Sequence, residues 1–219
     1  MILLTEKKNL PIIVIGAGGH AKVVIDTLQC CRSRILGFTN YSNEIESILG
    51  VPYLGNDSII DEKNPDQILL AIGMGTLKSN NNRKKIFDYW KNKNYSFVTI
   101  IHPTAIISGS AEIGEGSQIL MGVVIQTEAK IKENCIVNTR CSIDHNSIIH
   151  AHSHIAPGTT ICGNVIIEPM CHIGAGATII QNIRVAESST IGAGAVVIKN
   201  TNKGETLVGI PAREISQMK

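Results

Sequence analysis

The second half of the chain repeats its hydrophobic positions with a period of six residues. From Ile101 to Val197 every sixth residue is Ile or Val, and no insertion breaks the series. A second series, four residues later, holds mostly small residues from Ala105 to Ala195. A six-residue period fits neither the 3.6-residue period of a helix nor the alternation of a simple strand. It is typical of an all-β parallel β-helix, in which three strand-and-turn units close one coil. Residues 18 apart are therefore predicted to stack, with both series inside.

Residues 1–100 follow a different pattern, in which apolar runs alternate with amphipathic ones. "PIIVIGAGGHAKVVIDTL" predicts a strand, a glycine turn and a helix with Val23, Val24 and Leu28 inward. "RILGF" and "DQILLAIG" predict two more strands, "RKKIFDYWKNK" a helix, and "YSFVTII" a strand that runs into the repeat. Alternating strands and helices predict a small, parallel, Rossmann-like α/β sheet. We therefore expect two domains, 1–100 and 101–219.

Composition narrows the class of protein. Hydrophobic residues make up 43% of the chain and aromatic residues only 4%, so the apolar content is aliphatic and favours strands. A net charge of +2 gives no electrostatic case for a nucleic-acid partner. The start "MILLTEKKNLP" has too short an apolar run for a signal peptide and no segment has transmembrane length, so we expect a cytoplasmic protein. The six cysteines lack CxxC spacing and are predicted to be packing residues.

The glycine turn of the front domain is a candidate binding site. Gly16, Gly18 and Ala21 satisfy G-x-G-x-x-A after a strand, so amides at a helix N-terminus could bind a phosphate. An NAD site would also need an acidic residue at the end of the second strand, where Thr39 and Asn40 stand. A turn that merely packs helix on strand is another alternative. A nucleotide-linked ligand is the favoured interpretation.

Four of the seven histidines lie in "CSIDHNSIIHAHSHIAPG". His145, His150, His152 and His154 all fall outside the two interior series, so we expect their side chains to point outward. For His150 and His152 we expect ordinary surface positions. An imidazole accepts a proton near neutral pH, which makes an outward histidine beside a cleft a candidate general base.

Several motifs together resemble one family. "VIGAGGHAKVVIDTL", "AIGMG", "IHPTA", a hexapeptide β-helix with "IDHN", and "VGIPAR" resemble the hexapeptide-repeat sugar O- and N-acetyltransferases related to the sialic acid O-acetyltransferases and the bacillosamine N-acetyltransferases. The resemblance implies a left-handed β-helix and a cytoplasmic homotrimer. It also implies acetyl transfer from acetyl-CoA to a nucleotide-linked sugar that is a precursor of a bacterial surface polysaccharide. The front domain would hold the acceptor, and acetyl-CoA would lie between neighbouring β-helices.

The resemblance also assigns roles to single residues. His145 matches the catalytic base, and Asn146 stands where the family usually has an acidic residue that orients the base. Which residue orients His145 is therefore left open by the sequence. His154 matches a residue that contacts acetyl-CoA, while Ala175 and Ala193 lie in "IGAGA" turns that can approach the pantetheine or simply pack tight coils. Acceptor contacts are expected at the glycine-rich strand ends, at Gly18, Gly19, His20, Thr39, Asn40, Gly73, Met74 and Gly75.

Three other functions remain as alternatives to N-acetylation of an amino sugar. One is O-acetylation of a sialic-acid-like sugar. Another, of a different class, is a zinc hydro-lyase of the carbonic-anhydrase kind, which would need three imidazoles. The third imidazole would have to be His102, which lies 43 residues before His145 and so does not stack with it. We therefore expect no metal site. The last is a non-enzymatic scaffold or nucleotide sensor.

Overall fold

The structure, a computed structural model, describes residues 10–76 and 81–215. Within these ranges the front part of the chain forms a six-stranded sheet flanked by helices. Its elements are β1 (Ile12–Ile15), α1 (Gly19–Cys30), β2 (Ile35–Thr39), β3 (Ser47–Ile48), β4 (Val51–Gly55), α2 (Ser58–Asp61), β5 (Leu69–Ile72), α3 (Asn81–Asn92) and β6 (Ser96–Phe97).

The order of strands in this front sheet is β3-β4-β2-β1-β5-β6. All neighbours are parallel except β3 and β4, which form an antiparallel hairpin. The predicted parallel sheet is confirmed, although neither the hairpin nor α2 was predicted. Chain order reverses between β1 and β5, and ligands of such sheets bind in the crevice at the carboxyl ends of the strands on either side of this switch point.

Helix α1 packs on the sheet with one apolar face. Val24 and Leu28, one turn apart, are buried at 0% and 1% exposure. Val23 is 40% exposed, so its predicted inward position is wrong. The reason is helical geometry, because residues at i and i+4 share a face and the residue just before them is turned away from it. No helix in the described ranges is long and apolar enough to cross a membrane.

The rest of the chain is a parallel β-helix, as predicted. We call its three sheets the docking sheet, the second sheet and the third sheet. The docking sheet contains β7 (Ile100–Ile101), β10 (Gln118–Ile119), β13 (Ile136–Val137), β16 (His154–Ile155), β19 (His172–Ile173), β22 (Thr190–Ile191), β24 (Thr206–Val208) and β25 (Arg213–Glu214). The second sheet contains β8 (Ile106–Ile107), β11 (Val124–Ile125), β14 (Ser142–Ile143), β17 (Thr160–Ile161), β20 (Thr178–Ile179) and β23 (Val196–Val197). The third sheet contains β9 (Glu112–Ile113), β12 (Lys130–Ile131), β15 (Ile148–Ile149), β18 (Ile166–Ile167) and β21 (Arg184–Val185).

Successive coils stack in the predicted register. His154 pairs with His172, and Ser142 pairs with Thr160, so equivalent residues are 18 apart. From Ile119 to Val197 the branched series is buried at 0–1% exposure and forms one core with the small series. This arrangement gives the β-helix a continuous interior and leaves the chemistry to its outer faces and corners.

The first coil departs from the pattern. Ile101 is 40% exposed, whereas Ile100 is buried in the core of the front domain. "YSFVTII" is therefore not one continuous strand, because β6 completes the front sheet and β7 starts the docking sheet. The chain passes here from the core of the front domain to the core of the β-helix. Ile100, which faces the front domain, is therefore buried in place of Ile101.

The six cysteines differ in burial, and Cys162 is half-buried. Cys135, Cys141 and Cys171 are buried in the β-helix core, and burial raises the pKa of these thiols to about 12, 11 and 12, respectively. Their predicted packing role is confirmed. Cys30 and Cys31 are exposed at the end of α1, so the same prediction is wrong for them. Their position outside the repeat explains the difference, since only the repeat requires a small buried residue.

Candidate active site

His145 lies at an outer corner of the β-helix, in the turn between β14 of the second sheet and β15 of the third sheet. Its side chain is exposed, as predicted. The next residue, Asn146, adopts a left-handed backbone conformation with φ 58°, which asparagine tolerates better than most residues. The Asn146 amide donates to the carbonyl of Thr127 in the preceding coil, at 3.1 Å. The turn is thereby fixed on the coil below it.

A chain of side-chain hydrogen bonds holds the His145 ring. Nδ1 of His145 lies 2.9 Å from Oδ1 of Asn146, and Nδ2 of Asn146 donates to Oε2 of Glu128 at 2.5 Å. Because Oδ1 only accepts, Nδ1 carries the proton and Nε2 keeps a lone pair. Asp144 plays a separate part, since its Oδ1 accepts from the backbone amide of His145 at 2.8 Å. The corner therefore presents an imidazole nitrogen able to accept a proton.

The crevice between β1 and β5 begins at the glycine turn. Gly18 and Gly19 are exposed, and a Cβ added at either would meet no atom within 4 Å. Gly18 precedes α1 in an extended conformation and no side chain caps the helix. The amides of the first turn of α1 have no intrahelical acceptor, so this end of the helix suits an anion.

Gly73, on the opposite lip, has a packing role. A Cβ there would lie 2.8 Å from Cβ of Ala21 and 2.9 Å from Cγ1 of Val14. Its amide already donates to the carbonyl of Ile15 at 2.8 Å. Gly73 therefore allows α1 to approach the sheet closely, and this amide is not available to a ligand.

His20 joins the glycine turn to the docking sheet. Its Nε2 donates to Oε1 of Gln118 at 2.7 Å, and Nε2 of Gln118 donates to the carbonyl of Ile72 at 2.8 Å. Burial, reinforced by the charge of Arg83 and opposed by the Gln118 bond, lowers the pKa of His20 to about 4. The ring is therefore neutral at pH 7 and bridges the two domains.

Arg83 places a buried cation behind the same crevice. The side chain is 2% exposed, and one terminal nitrogen donates to the carbonyls of Ile72 and Met74 at 3.1 and 2.9 Å. Nε and the other terminal nitrogen have no hydrogen-bond partner among the described residues. Burial lowers the pKa of the guanidinium to about 9, so it remains charged at neutral pH. A cation held here favours a negatively charged ligand nearby.

At the end of β2, Thr39 differs from the expectation, whereas the contact expected at half-buried Asn40 stays a prediction. Thr39 is fully buried and donates its hydroxyl to Oδ1 of Asp57 at 2.6 Å. The Asn40 side chain donates to the carbonyl of Ser42 at 3.0 Å. Because it is buried, the Thr39 side chain cannot contact an acceptor sugar nucleotide in this conformation. Asp57, which is exposed, places a carboxylate beside the end of β2, where the strand itself ends in Thr39 and Asn40 and has no acidic residue.

His154 lies under the front domain. Its Nδ1 is 2.5 Å from Oγ1 of Thr76, and its Nε2 is 3.2 Å from Nδ2 of Asn138. The His172 ring, one coil on, meets it edge to face at 5.0 Å. Burial, followed by the nearby His172, lowers the pKa of His154 to about 3. The ring is neutral, and both of its nitrogens have partners within the chain.

The surface position predicted for His152 is wrong. This side chain is 9% exposed, its Nδ1 accepts from Nδ2 of Asn134 at 2.9 Å, and Phe87 of α3 packs edge-on at 5.7 Å. The six-residue pattern separates interior from exterior positions, but it does not show which exterior face another domain covers. His150 is half-buried, so it too departs from a fully exposed surface position.

Ala175 and Ala193 lie one coil apart at the corner between the docking and second sheets. Both are exposed, and the Gly194 amide donates to the carbonyl of Ala175 at 2.8 Å. They form a row of small residues at a different corner from His145.

His102, the third imidazole that a zinc site would need, is buried, and its Nδ1 lies 2.8 Å from Oγ1 of Thr104. No metal-ligating group of three or more His, Cys, Asp or Glu occurs in the described ranges.

Comparisons with known proteins agree with this architecture. A family model of the PglD N-terminal domain matches residues 11–90. The acetyltransferase domain of PglB from Neisseria gonorrhoeae is similar along its whole length, with 32% identity, a TM-score of 0.89 and coverage of 94% of this chain and 100% of that one. The chain belongs to this family of sugar acetyltransferases.

Two further relatives extend the family comparison. PerB from Caulobacter crescentus, solved with CoA and GDP-perosamine, is 29% identical with a TM-score of 0.87 over 93% of this chain and 96% of that one. A UDP-N-acetylbacillosamine N-acetyltransferase of Bacillus subtilis is 33% identical over 112 residues, which are 49% of this chain and 50% of that protein. That match therefore spans about half the length of the curated relative.

Several residues in and around the candidate site were not found from the sequence. Glu128 and Asn146 are 18 residues apart, as are His154 and His172, so the stacking period alone could have paired them. Other contacts carry no periodic signal because they join the two domains. These are the contacts of Thr76 with His154 and of Gln118 with His20. Arg83 was also missed, although its contact with the carbonyl of Ile72 lies within the front domain.

Proposed function

We propose that this protein transfers the acetyl group of acetyl-CoA to the amino group of a nucleotide-linked sugar. The observation that carries the proposal is the His145 ring, which is held by Asn146 so that Nε2 can accept a proton at an outer corner. The relatives support the substrates, since PerB was solved with CoA and GDP-perosamine and the PglB domain with acetyl coenzyme A. Amino-sugar relatives favour this reaction over O-acetylation of a sialic-acid-like sugar.

In the proposed reaction the acceptor amine attacks the thioester carbonyl. The new C–N bond forms, the nitrogen gives its proton to Nε2 of His145, and the C–S bond breaks. The imidazolium then protonates the CoA thiolate, which regenerates the base. No covalent enzyme intermediate is required, because both substrates occupy one cleft.

The acceptor is proposed to bind in the crevice of the front domain, residues 1–100. The open amides beside Gly18 and Gly19 suit a diphosphate, and the Arg83 cation favours its negative charge. Asp57 is placed to accept hydrogen bonds from ribose hydroxyls at the end of β2. This is the role that an acidic residue at the end of the second strand has in dinucleotide-binding sheets.

Acetyl-CoA is proposed to bind residues 101–219. The exposed row of Ala175 and Ala193 leaves room for a pantetheine chain along one corner. A contact between His154 and the acetyl group stays a prediction. In this structure Nε2 of His154 is engaged by Asn138, so we infer that acetyl-CoA would share or replace that hydrogen bond.

A homotrimer is proposed because one protomer separates the two halves of the site. The front domain contacts the docking sheet through His20 and Thr76, whereas His145 lies at the corner between the other two sheets. A neighbouring protomer is needed to bring an acceptor crevice to that corner. Ile106 and Met121, 69% and 48% exposed on and beside the second sheet, offer apolar surface for such packing. The cytoplasmic location and the surface-polysaccharide pathway stay predictions of the resemblance.

A thiol-release assay with acetyl-CoA tests the proposal. The acceptor panel contains UDP-, GDP- and dTDP-linked amino sugars and free sialic acids. We expect turnover with an amino-sugar nucleotide and a loss of about 10²–10⁴-fold in His145→Ala, with acetyl-CoA affinity retained. Turnover of free sialic acid alone would replace the acceptor, and near-native turnover of His145→Ala would overturn the base. Light scattering tests the trimer, since a stable and fully active monomer would contradict it.

A further inference from the structure

Glu128 lies directly below the turn that carries His145. It occupies the same corner one coil earlier, 18 residues before Asn146, and both have left-handed backbones, with φ 59° and 58°. The Glu128 carboxylate accepts from Nδ2 of Asn146 at 2.5 Å, and Oδ1 of Asn146 faces Nδ1 of His145 at 2.9 Å. Three side chains from two coils therefore form one hydrogen-bonded line that ends at the reactive imidazole.

We propose that Glu128 is a positioning residue that sets the orientation of Asn146 and, through it, the tautomer of His145. The proposal rests on the general-base role of His145 given above. It assigns the acidic function of the site to a residue in the preceding coil, with Asn146 as the link. The position after the catalytic histidine then needs an amide rather than a carboxylate.

The argument follows from which atoms can donate. An asparagine side chain alone can turn either its oxygen or its nitrogen toward Nδ1 of His145. An ionised carboxylate only accepts, so Glu128 requires the nitrogen of Asn146 to point at it. The oxygen must then face His145, which requires a proton on Nδ1 and leaves the lone pair on Nε2. Without the carboxylate, the reversed amide would place the proton on Nε2 and remove the base.

The negative charge of Glu128 also favours His145 as the base. A negative charge near the ring stabilises the imidazolium that forms when the amine loses its proton. The next coil places Cys162, Gly163 and Asn164 at this corner, with no Asp, Glu, Lys or Arg among them, while Asp144 accepts from the backbone amide of His145. Lys130, two residues after Glu128, is paired with Glu112 at 3.0 Å. Among these neighbours, Glu128 is the acidic group linked to the ring.

The first experiment compares Glu128→Gln with wild type in the thiol-release assay. We expect kcat to fall about 10-fold with the KM for acetyl-CoA unchanged. Glu133→Gln is the matched control, because it removes an exposed carboxylate from another corner of the same β-helix. An unchanged kcat in Glu128→Gln would overturn the proposal.

The second experiment moves the charge. In Asn146→Asp two carboxylates face each other across the former hydrogen bond, so we expect lower activity than wild type. In Glu128→Gln/Asn146→Asp the amide and the carboxylate exchange places, so the carboxylate accepts directly from Nδ1 of His145 and the amide in the preceding coil can donate to it. We expect the double variant to recover most of the activity lost in each single variant. A double variant as impaired as the product of the two single losses would contradict the arrangement.

A measurement without turnover separates this proposal from the proposed function. Nitrogen-15 NMR of the imidazoles reports which ring nitrogen carries the proton, with the His145 signals identified by their loss in His145→Ala. We expect Nδ1–H in wild type and a shift toward Nε2–H in Glu128→Gln. The same tautomer in both proteins would overturn the role of Glu128, whatever the activities. An active His145→Ala would instead refute the catalytic role of His145, while the tautomer result would still stand.

Discussion

The imidazole ring of His145 occupies the space that a side chain at Gly163 would need. A Cβ built on Gly163 would come within 2.6 Å of both Nε2 and Cε1 of the ring. Gly163 stands 18 residues after His145, at the same corner of the next coil. The absence of a side chain at this position therefore allows the ring to lie against the backbone of the next coil, while Asn146 of its own turn holds Nδ1.

Gly163→Ala should displace the base without harming the fold. The backbone at Gly163 is outside the left-handed region, so alanine is allowed there, and the flexible ring gives way before the coil does. We expect kcat to fall about 10–100-fold, comparable with other small misplacements of catalytic groups, while the melting temperature changes by a few degrees at most. Gly109→Ala is the control, because Gly109 lies at the same corner in an earlier coil, with open space for a Cβ. Native turnover in Gly163→Ala would show that the ring can act from a different position.

Gly73→Ala should reduce stability instead. The added methyl group would overlap Ala21 of α1 and Val14 of β1, at 2.8 and 2.9 Å, and neither neighbour can move without shifting its element. Overpacking of this kind costs about 1–3 kcal/mol. Urea unfolding at one protein concentration measures the loss. Gly75→Ala provides the comparison, since its Cβ would make only an ordinary contact with His20 at 3.5 Å. Equal stabilities of the two variants would show that α1 is not packed as tightly as described.

The β-helix was predictable because the six-residue pattern that specifies it involves only residues close together in sequence. Ile119 and Val197 need only fill an interior that repeats every six residues, so the spacing alone identifies them as buried. The same rule fails at Ile101, where the front domain provides a second core. It also cannot identify His152 as buried, because the covering residue, Phe87, is far away in sequence.

The candidate site was predictable in part for a related reason. His145 was found because its motif is contiguous, and its exposure follows from its place outside the two interior series. Apart from Asn146, the groups that surround the site are distant in sequence. Gln118 contacts His20 across 98 residues, and Asp57 reaches Thr39 only because an unpredicted hairpin returns the chain to the end of β2. No single-sequence pattern encodes such pairs.

Asp57→Asn should weaken acceptor binding selectively. In the proposed function the Asp57 carboxylate accepts from ribose hydroxyls, and hydrogen bonds to a charged group contribute about 1.5–3 kcal/mol. We expect the KM for the nucleotide sugar to rise about 10-fold or more, with the KM for acetyl-CoA unchanged. Asp66→Asn, at an exposed position in the same domain, serves as the control. A parallel rise in both KM values would indicate a general structural defect and contradict the assignment.

Stability should decline in mild acid because buried histidines resist protonation. The pKa values of His154 and His20 are lowered to about 3 and 4, chiefly by burial, whereas an unfolded chain titrates near 6.5. Between these values the unfolded state binds more protons than the folded state, so the free energy of unfolding falls as pH falls. The slope is at most about 1.4 kcal/mol per pH unit for each histidine, and it ends below the folded pKa.

Urea unfolding at pH 7, 6 and 5 and fixed protein concentration should reveal this slope, in a range where most carboxylates stay ionised. His154→Gln removes the ring with the lowest pKa, so the variant should lose less stability than wild type between pH 7 and pH 5. Thr160→Val, on an exposed strand position of the second sheet, should shift the stability without altering its pH dependence. Identical slopes in wild type and His154→Gln would show that the contact between His154 and Thr76 opens in acid, so that the ring is protonated at no cost to the fold.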